Sequence, residues 1–298
     1  MDGIWTPMRF ADNGGVKLAY DRWGGAEGEP LLMIMGLGVT RHWWPDGLCT
    51  AFAARGFAVA RYDQRDAGDS TRLPPAPVGN PVKALFRKKG EAYTAEDMAD
   101  DAVAVMDALG WPSAHLFGHS MGGAVAQRVA LRHPSRVRTL TTSASVPCDA
   151  AGLGTLRYVR LGTLAKFTRL GFPDTPAGQE EAAVAVARLL ASPDYPLDEE
   201  QVRAAARRGS SGVQDNQAQS RQIGAQWSGP PLTEMRTPTL VLHGDRDPLI
   251  RPSAARAVAA AVPGAKLVLQ PGVGHDLPAP VWDTLADHVR ALADGKTA

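Results

Sequence analysis

Two features that narrow the function of a protein are scarce in this sequence. Among its 298 residues are only two cysteines, Cys49 and Cys148. That is too few for the disulfide framework of a small secreted domain, and their spacing is not that of a metal site. We therefore expect a reduced, cytoplasmic setting and no metal cofactor. The sequence leaves open whether the two thiols form a single disulfide.

An excess of charge of one sign is also lacking. The 32 basic and 31 acidic residues leave a net charge of +1, whereas proteins that bind nucleic acid or anionic membranes carry a basic surface. No apolar run approaches the roughly 20 residues that cross a bilayer. The segment "MDGIWTPMRF" has an early acidic residue and no apolar core, so no secretory signal is predicted. We expect neither a nucleic-acid partner nor a membrane span.

What the sequence does contain is an alternation of short apolar runs and longer helical patterns. Continuous apolar runs bounded by Gly, Pro or Asp are typical of strands buried on both faces of a parallel sheet. An N-terminal hairpin, formed by residues 8–11 and an edge strand at 15–24, is predicted to precede them. The pattern indicates a doubly wound α/β sheet. The runs are "LLMIMG", "FAVARYD", "SAHLFGHS", "VRTLTTSAS", "PTLVLHGD" and "AKLVLQPG".

Two segments interrupt this alternation. Residues 148–230 hold four helix-like stretches and no convincing strand, and they lie between two predicted sheet strands. We interpret them as a helical lid inserted into a core formed by residues 1–147 and 231–298; the alternative is a run of ordinary packing helices. Residues 73–93 are rich in proline and contain "KALFRKKG", which favours a surface loop with a solvated basic turn.

The segment "LFGHSMGGAVAQ" carries the main chemical signal. It reads as a strand, then Gly118-His119-Ser120-Met121-Gly122, then a helix, which is the context of a nucleophile elbow. In such an elbow the turn is so sharp that only small residues fit two positions before and after the serine. The serine is then raised above the sheet edge at the start of a helix, where free N–H groups favour a developing negative charge.

A serine nucleophile needs a base, and the base needs a carboxylate that orients it. Of the seven histidines, His275 is the best candidate because it lies in a Gly-rich loop after the last strand. "LVLHGDRDPLI" offers Asp245 and Asp247 at the end of the preceding strand, and we favour Asp247. The other reading of both aspartates is that of ordinary turn residues. The chain order Ser-Asp-His is typical of α/β-hydrolases.

The remaining element is a pair of backbone donors for the oxyanion. One is the N–H of the residue after the nucleophile, Met121, and the other comes from the glycine turn after the "LLMIMG" strand, for which we choose Leu37. "RHWWPD" follows this turn closely, so His42, Trp43 and Trp44 are candidate substrate-binding residues. One tryptophan is predicted to face the substrate pocket and the other to pack in the core or under the lid; the alternative places both in the core.

Taken together, these motifs resemble those of the α/β-hydrolases over nearly the full chain. "RYDQRDAGDST" matches the form D-x-R-x-x-G-x-S through Asp63, Arg65, Gly68 and Ser70. Met35 departs from the histidine that is commoner in the family. "MGLG", "WPDGL" and "HDLP" are similar to segments of actinobacterial esterases, including the anthracycline methyl esterases. The resemblance implies a mostly parallel eight-stranded sheet with helices on both faces and a helical lid.

The reaction implied is hydrolysis of a carboxylic ester of a small apolar or ring-bearing substrate, through an acyl-enzyme and without a cofactor. The same triad also serves perhydrolysis of the haloperoxidase kind, C–C bond hydrolysis and amide hydrolysis, and these stay open. A hydrolase fold used only to bind a ligand is a further alternative. The sequence does not indicate an oligomeric state.

Overall fold

The chain is described by a computed structural model for residues 5–24, 27–74, 92–150, 153–209 and 215–296. In these ranges, eight strands form one sheet, and ten α-helices surround it or connect its strands. The predicted α/β fold is confirmed. The strands are β1 Arg9–Asn13, β2 Val16–Arg22, β3 Glu29–Ile34, β4 Phe57–Tyr62, β5 Ala114–His119, β6 Val137–Ser143, β7 Thr239–Gly244 and β8 Lys266–Gln270.

The strand order across the sheet is β1-β2-β4-β3-β5-β6-β7-β8. β1 and β2 form the predicted antiparallel hairpin, and β2 pairs antiparallel with β4. All other neighbours are parallel. The prediction that residues 15–24 form an edge strand is wrong, because β1 occupies the edge and β2 lies between β1 and β4. Because β3 to β8 run parallel, their carboxyl ends meet at one side of the sheet, where ligand sites of open α/β sheets lie.

The helices are α1 Asp46–Ala53, α2 Ala95–Ala108, α3 Met121–Arg132, α4 Leu153–Leu156, α5 Leu161–Phe167, α6 Pro176–Leu190, α7 Glu199–Arg208, α8 Asn216–Gly224, α9 Pro252–Ala261 and α10 Trp282–Ala293. α2, α3 and α9 pack on one face of the sheet through residues such as Met98, Val125 and Val258. α1 and α10 cover the other face with Phe52 and Leu285. Because both faces are covered, strands such as β4, β5 and β7 are buried along their whole length, which explains their continuous apolar sequences.

Five helices, α4 to α8, lie between β6 and β7, where the sequence predicted an insertion of four helix-like stretches. The first predicted stretch is divided into two short helices, α4 and α5. α6 and α7 pack against each other and form a small apolar cluster of their own, which includes Val184 and Val202. The predicted loop at residues 73–93 falls mostly on residues 75–91, which lie outside the described residues.

The cysteines left open by the sequence are unpaired. Cys49 lies on the core-facing side of α1, and Cys148 lies in the loop after β6; both side chains are buried. Burial raises the pKa of both thiols, that of Cys148 to about 12. In the described ranges, no helix combines the length and the apolar character needed to cross a membrane.

Candidate active site

Ser120 occupies a tight turn between β5 and α3. Its backbone has φ 55° and ψ −123°, a region that residues other than glycine rarely adopt. The flanking glycines make this turn possible. A Cβ at Gly118 would lie 2.3 Å from the carbonyl oxygen of Gly122, and a Cβ at Gly122 would lie 2.0 Å from that of Ile34. Both glycines are therefore required by backbone contacts, and Ser120 is presented at the first turn of α3.

His275 lies within hydrogen-bond distance of Ser120. Its Nε2 is 3.0 Å from the Ser120 Oγ, and its Nδ1 is 2.7 Å from the Asp247 Oδ2. The three side chains come from the turn after β5, the turn after β7 and the loop after β8. Residues 155 positions apart in sequence thus form one continuous hydrogen-bonded row, at the carboxyl edge of the sheet. His275 and Asp247 are both buried.

Asp247 is fixed by more than the histidine. Its Oδ1 accepts hydrogen bonds from the backbone N–H groups of Leu249 at 2.7 Å and Ile250 at 2.8 Å. Burial raises the pKa of this carboxyl, but the charge and hydrogen bond of His275, the charge of His243 and the Ile250 N–H together hold it below its ordinary value. Asp245, the other candidate, instead accepts a hydrogen bond from the Gly272 N–H at 2.8 Å. It therefore joins two loops and does not contact the histidine ring.

Two histidines that were not chosen as the base, His119 and His243, contact this row. The His119 Nε2 donates to the backbone carbonyl of His275 at 2.9 Å, and its Nδ1 lies 3.2 Å from the Ser143 hydroxyl. The His243 Nε2 is 3.0 Å from the carbonyl of Ile250 and 3.3 Å from the Asp247 carboxylate. Sequence reasoning missed both, because the His119 contact joins residues 156 positions apart and the His243 contacts depend on how the turn after β7 folds back on the strand.

The turn after β3 passes directly beside Ser120. A Cβ added to Gly36 would lie 3.2 Å from the Cβ of Ser120, so this approach favours glycine. The next residue is Leu37, whose backbone N–H donates to no other protein atom in the described ranges, and the same is true of the Met121 N–H. The first N–H groups of a helix have no partner within it. Two backbone donors are thus left free next to the serine hydroxyl.

Side chains on both sides of Leu37 hold this turn in position. The Gln64 Nε2 donates to the carbonyl of Met35 at 2.6 Å. On the other side, the N–H of Gly38, which has φ 68°, donates to the Gln222 Oε1 at 3.0 Å. Gln222 belongs to α8, and its Nε2 also donates to the carbonyl of Arg65 at 2.8 Å. The inserted helices therefore contact the turn that carries Leu37.

The inserted segment is also joined to the loop of His275. The backbone N–H of His275 donates to the carbonyl of Leu190, the last residue of α6, at 2.9 Å. The Gly274 N–H donates to the Ser192 Oγ at 2.8 Å, and the Ser192 hydroxyl in turn donates to Asp276 at 2.5 Å. Burial raises the pKa of the Asp276 carboxyl above its ordinary value. These bonds connect the position of α6 to that of the histidine.

A cavity of about 1450 Å³ opens over Ser120 and His275. Its floor is the carboxyl edge of the sheet with the turns after β3 and β5, and much of its remaining wall is apolar and comes from the inserted helices. The contributions from α5, α6 and α7 include Leu164, Phe167, Val186, Leu190, Val202 and Ala205. Clefts of this kind, apolar with a few placed polar groups, are typical of small-molecule sites.

His42, Trp43 and Trp44 all border this cavity but are packed differently. Trp44 is only 1% exposed, and its ring makes edge contacts with Phe117 and His119 at centroid distances of 5.6 and 6.4 Å. Trp43 is partly buried and contacts both the sheet core and the cluster between α6 and α7. Burial and the charges of nearby arginines lower the pKa of His42 to about 4.

Comparison with known proteins agrees with this fold. The alpha/beta hydrolase fold family matches residues 29–278. Rhodomycin D methylesterase DnrP of Streptomyces peucetius is 30% identical, covering 94% of this chain and 96% of its own. Its counterpart DauP from Streptomyces sp. (strain C5) is 29% identical with the same coverage. The structure of esterase RhEst1 from Rhodococcus sp. ECU1013 superposes with a TM-score of 0.71 at 20% identity, covering 98% of this chain and all of that one. The chain belongs to the alpha/beta hydrolase fold family.

Proposed function

We propose that this protein is a carboxylic ester hydrolase in which Ser120 is the nucleophile, His275 the general base and Asp247 the residue that orients the base. The observation that carries the proposal is the continuous hydrogen-bonded row from the Ser120 Oγ through His275 to Asp247. A ligand-binding protein without catalysis would not need a strained serine, a free pair of backbone donors and this row at one point. Full-length relatives named as methylesterases support the same reaction class.

The geometry supports acyl transfer in two steps. The Ser120 Oγ attacks the ester carbonyl carbon while the His275 Nε2 accepts the hydroxyl proton. The negative charge that develops on the carbonyl oxygen is stabilised by the N–H groups of Leu37 and Met121. His275 then protonates the leaving alcohol. In the second step His275 deprotonates a water molecule, which attacks the acyl-enzyme carbonyl. The protonated His275 then returns this proton to the departing Ser120 Oγ, and the carboxylic acid is released. Asp247 stabilises the imidazolium in both steps.

The size and lining of the cavity favour an apolar or ring-bearing ester. Broad, flat aromatic surfaces such as the indole of Trp43 contact ring systems well. Drug-sized ligands occupy cavities of about 300–1,000 Å³, and this cavity of about 1450 Å³ therefore has room for a bulky ester. We propose that residues 148–230 act as a lid over this cavity, since their helices form much of its apolar wall. The two Streptomyces relatives are named as rhodomycin D methylesterases, which supports cleavage of an ester.

A panel of p-nitrophenyl and aryl methyl esters tests the proposal. The purified protein should hydrolyse several of them, and Ser120→Ala should reduce turnover on the order of 10⁴-fold or more. Ser135→Ala, at an exposed serine outside the cavity, is the matched control and should keep wild-type turnover. Ester turnover that survives Ser120→Ala would contradict the assignment. Faster halogenation with peroxide, or faster cleavage of a diketone, would instead favour the other reactions open to this triad.

A further inference from the structure

The charged side chains that line the cavity are held by hydrogen bonds or ion pairs within the protein. The cavity is bordered by two arginines, Arg128 and Arg208, and by no lysine of the described residues. Arg208 forms an ion pair with Asp46 at 3.3 Å. Each lining carboxylate accepts a hydrogen bond or ion pair from the protein, and these are Asp46, Asp149, Asp198, Glu200 and Asp276. Of these described arginines and carboxylates, only Arg128 has a buried polar atom without a hydrogen-bond partner.

Arg128 lies on α3, whose first turn holds Ser120. Its guanidinium makes one long hydrogen bond, from Nη2 to the carbonyl of Cys148 at 3.3 Å. Its Nε is buried without a hydrogen-bond partner, and no carboxylate oxygen of the described residues lies within the 4.0 Å of an ion pair. Arg132, one turn further along α3, shows the usual arrangement, since it binds Asp100 through two bonds of 2.7 and 3.0 Å.

The position of Arg128 fits recognition of the far end of a substrate. Eight residues of helix separate it from Ser120, a distance of about 12 Å along the axis. A guanidinium offers five donors in a planar fork that matches a carboxylate. Burial lowers the pKa of Arg128 from its ordinary value, and the charge of Glu96 offsets this only in part because its carboxylate forms no ion pair with the guanidinium. A bound anionic oxygen would supply the ion-pair partner that the protein does not provide.

We propose that Arg128 binds an anionic oxygen group, a carboxylate or an ionised phenol, at the end of the ester substrate remote from the scissile bond. This inference rests on the proposed ester hydrolysis at Ser120. It makes the enzyme selective for esters of half-acids or acidic phenols over neutral esters of equal length. A carboxylate entering a mainly apolar cavity without such a partner would be strongly disfavoured. A preference for the anionic ester therefore indicates that Arg128 binds its carboxylate, and a preference for the neutral ester indicates that it does not.

The first test uses the wild-type protein alone. The mono-p-nitrophenyl ester of sebacic acid carries a free carboxylate, and p-nitrophenyl decanoate is its neutral counterpart of equal chain length. We expect kcat/KM to favour the carboxylate ester by about tenfold or more, as for a charge-assisted hydrogen bond. A phenol-ended ester measured below and above the phenol pKa distinguishes the two anion sources. Preference for the neutral ester in every pair would overturn the proposal.

Variants assign the preference to this side chain. Arg128→Met, similar in length and uncharged, should reduce the ratio of the two kcat/KM values about tenfold or more, and Arg128→Lys should reduce it less because the charge remains. Arg132→Met is the matched control and should leave the ratio unchanged. An unchanged ratio in Arg128→Met would overturn the proposal. If Arg128→Met does not fold, the kcat/KM ratio of the two esters in Arg128→Lys is compared with that of the wild type, and an unchanged ratio would overturn the proposal.

A binding measurement separates this inference from the proposed reaction. In Ser120→Ala, calorimetric titration with monomethyl sebacate and with methyl decanoate reports recognition without turnover. Tighter binding of the half-acid supports the role of Arg128 even if the protein hydrolyses no ester, a result that would contradict only the proposed function. Hydrolysis of neutral esters combined with equal or weaker binding of the half-acid would contradict only the inference about Arg128.

Discussion

His119 provides a sharp test of how the site is held together. Burial and the neighbouring His275 lower the pKa of His119 to about 3, so the ring is neutral at any ordinary assay pH. A neutral imidazole has one donor and one acceptor. Its Nε2–H is used on the His275 carbonyl, and its Nδ1 is therefore left to accept from the Ser143 hydroxyl. We predict that His119→Phe weakens both the fold and the catalytic rate.

The expected size follows from these two bonds. Phenylalanine keeps most of the ring volume but leaves a carbonyl and a hydroxyl unpaired, which costs about 1–3 kcal/mol for each buried group. The rate should fall further, because the lost bond anchors the backbone of His275 itself. A displacement of about 1 Å in a catalytic group can reduce the rate about 10²-fold. The loss should appear in kcat more than in KM, since His119 is buried and acts through its bond to the His275 carbonyl.

The assay combines urea unfolding with steady-state hydrolysis of a p-nitrophenyl ester. His119→Gln is the matched control, because its amide can donate to the His275 carbonyl and accept from Ser143, and it should recover much of the rate. The reasoning would be refuted if His119→Phe kept kcat within about twofold of the wild type, well short of the loss expected from a displaced base. Equal rates for the Phe and Gln variants would likewise show that the two hydrogen bonds do not position His275.

Three further outcomes are expected. Asp247→Asn should lower kcat about 10⁴-fold because the base loses its orienting partner, whereas Asp245→Asn should keep most activity. If Asp245→Asn instead lost more activity than Asp247→Asn, the orienting carboxylate would be Asp245. Trp43→Ala should raise KM for bulky esters with little change for p-nitrophenyl acetate, whereas Trp44→Ala should lower the free energy of unfolding by about 3–5 kcal/mol. Urea unfolding and a series of esters of increasing size test both variants. Equal losses of stability would assign both rings to the core. Both cysteine thiols should resist a disulfide reagent in the native protein and react only after unfolding; rapid native labelling would contradict their burial.

Local sequence was sufficient for much of the fold because the relevant forces are local or periodic. Strands buried on both faces must be apolar throughout, so runs such as Phe57–Tyr62 and Thr239–Gly244 were readable. The glycines around Ser120 were readable because the turn excludes a Cβ. The edge position of residues 15–24 was predicted wrongly, since β1 pairs with β2 on one side and β4 completes the other. Pairing partners are a tertiary property that one strand does not encode.

The supporting contacts of the site were beyond sequence reasoning for a similar reason. Gln222 lies in an ordinary polar helix, and nothing near it in sequence indicates that it accepts a hydrogen bond from Gly38. Ser192 likewise bonds to the loop of His275 only because α6 ends there. Arg128 and Arg132 lie one turn apart on the same helix, and the sequence around them does not distinguish their roles. Among the described residues, only the lack of an ion pair at Arg128, a feature of the assembled cavity, distinguishes it from Arg132. The roles of Ser120, His275 and Asp247 remain predictions supported by their geometry.

The most direct test of the central claim is active-site labelling with a fluorophosphonate followed by peptide mapping. The reagent reacts only with a serine that is activated by a base and faces an oxyanion site. The account predicts one label per chain, on Ser120, with labelling abolished in Ser120→Ala and His275→Ala and lost in parallel with ester hydrolysis. A folded wild-type protein that stays unlabelled, or a label on another serine while ester turnover continues, would contradict it.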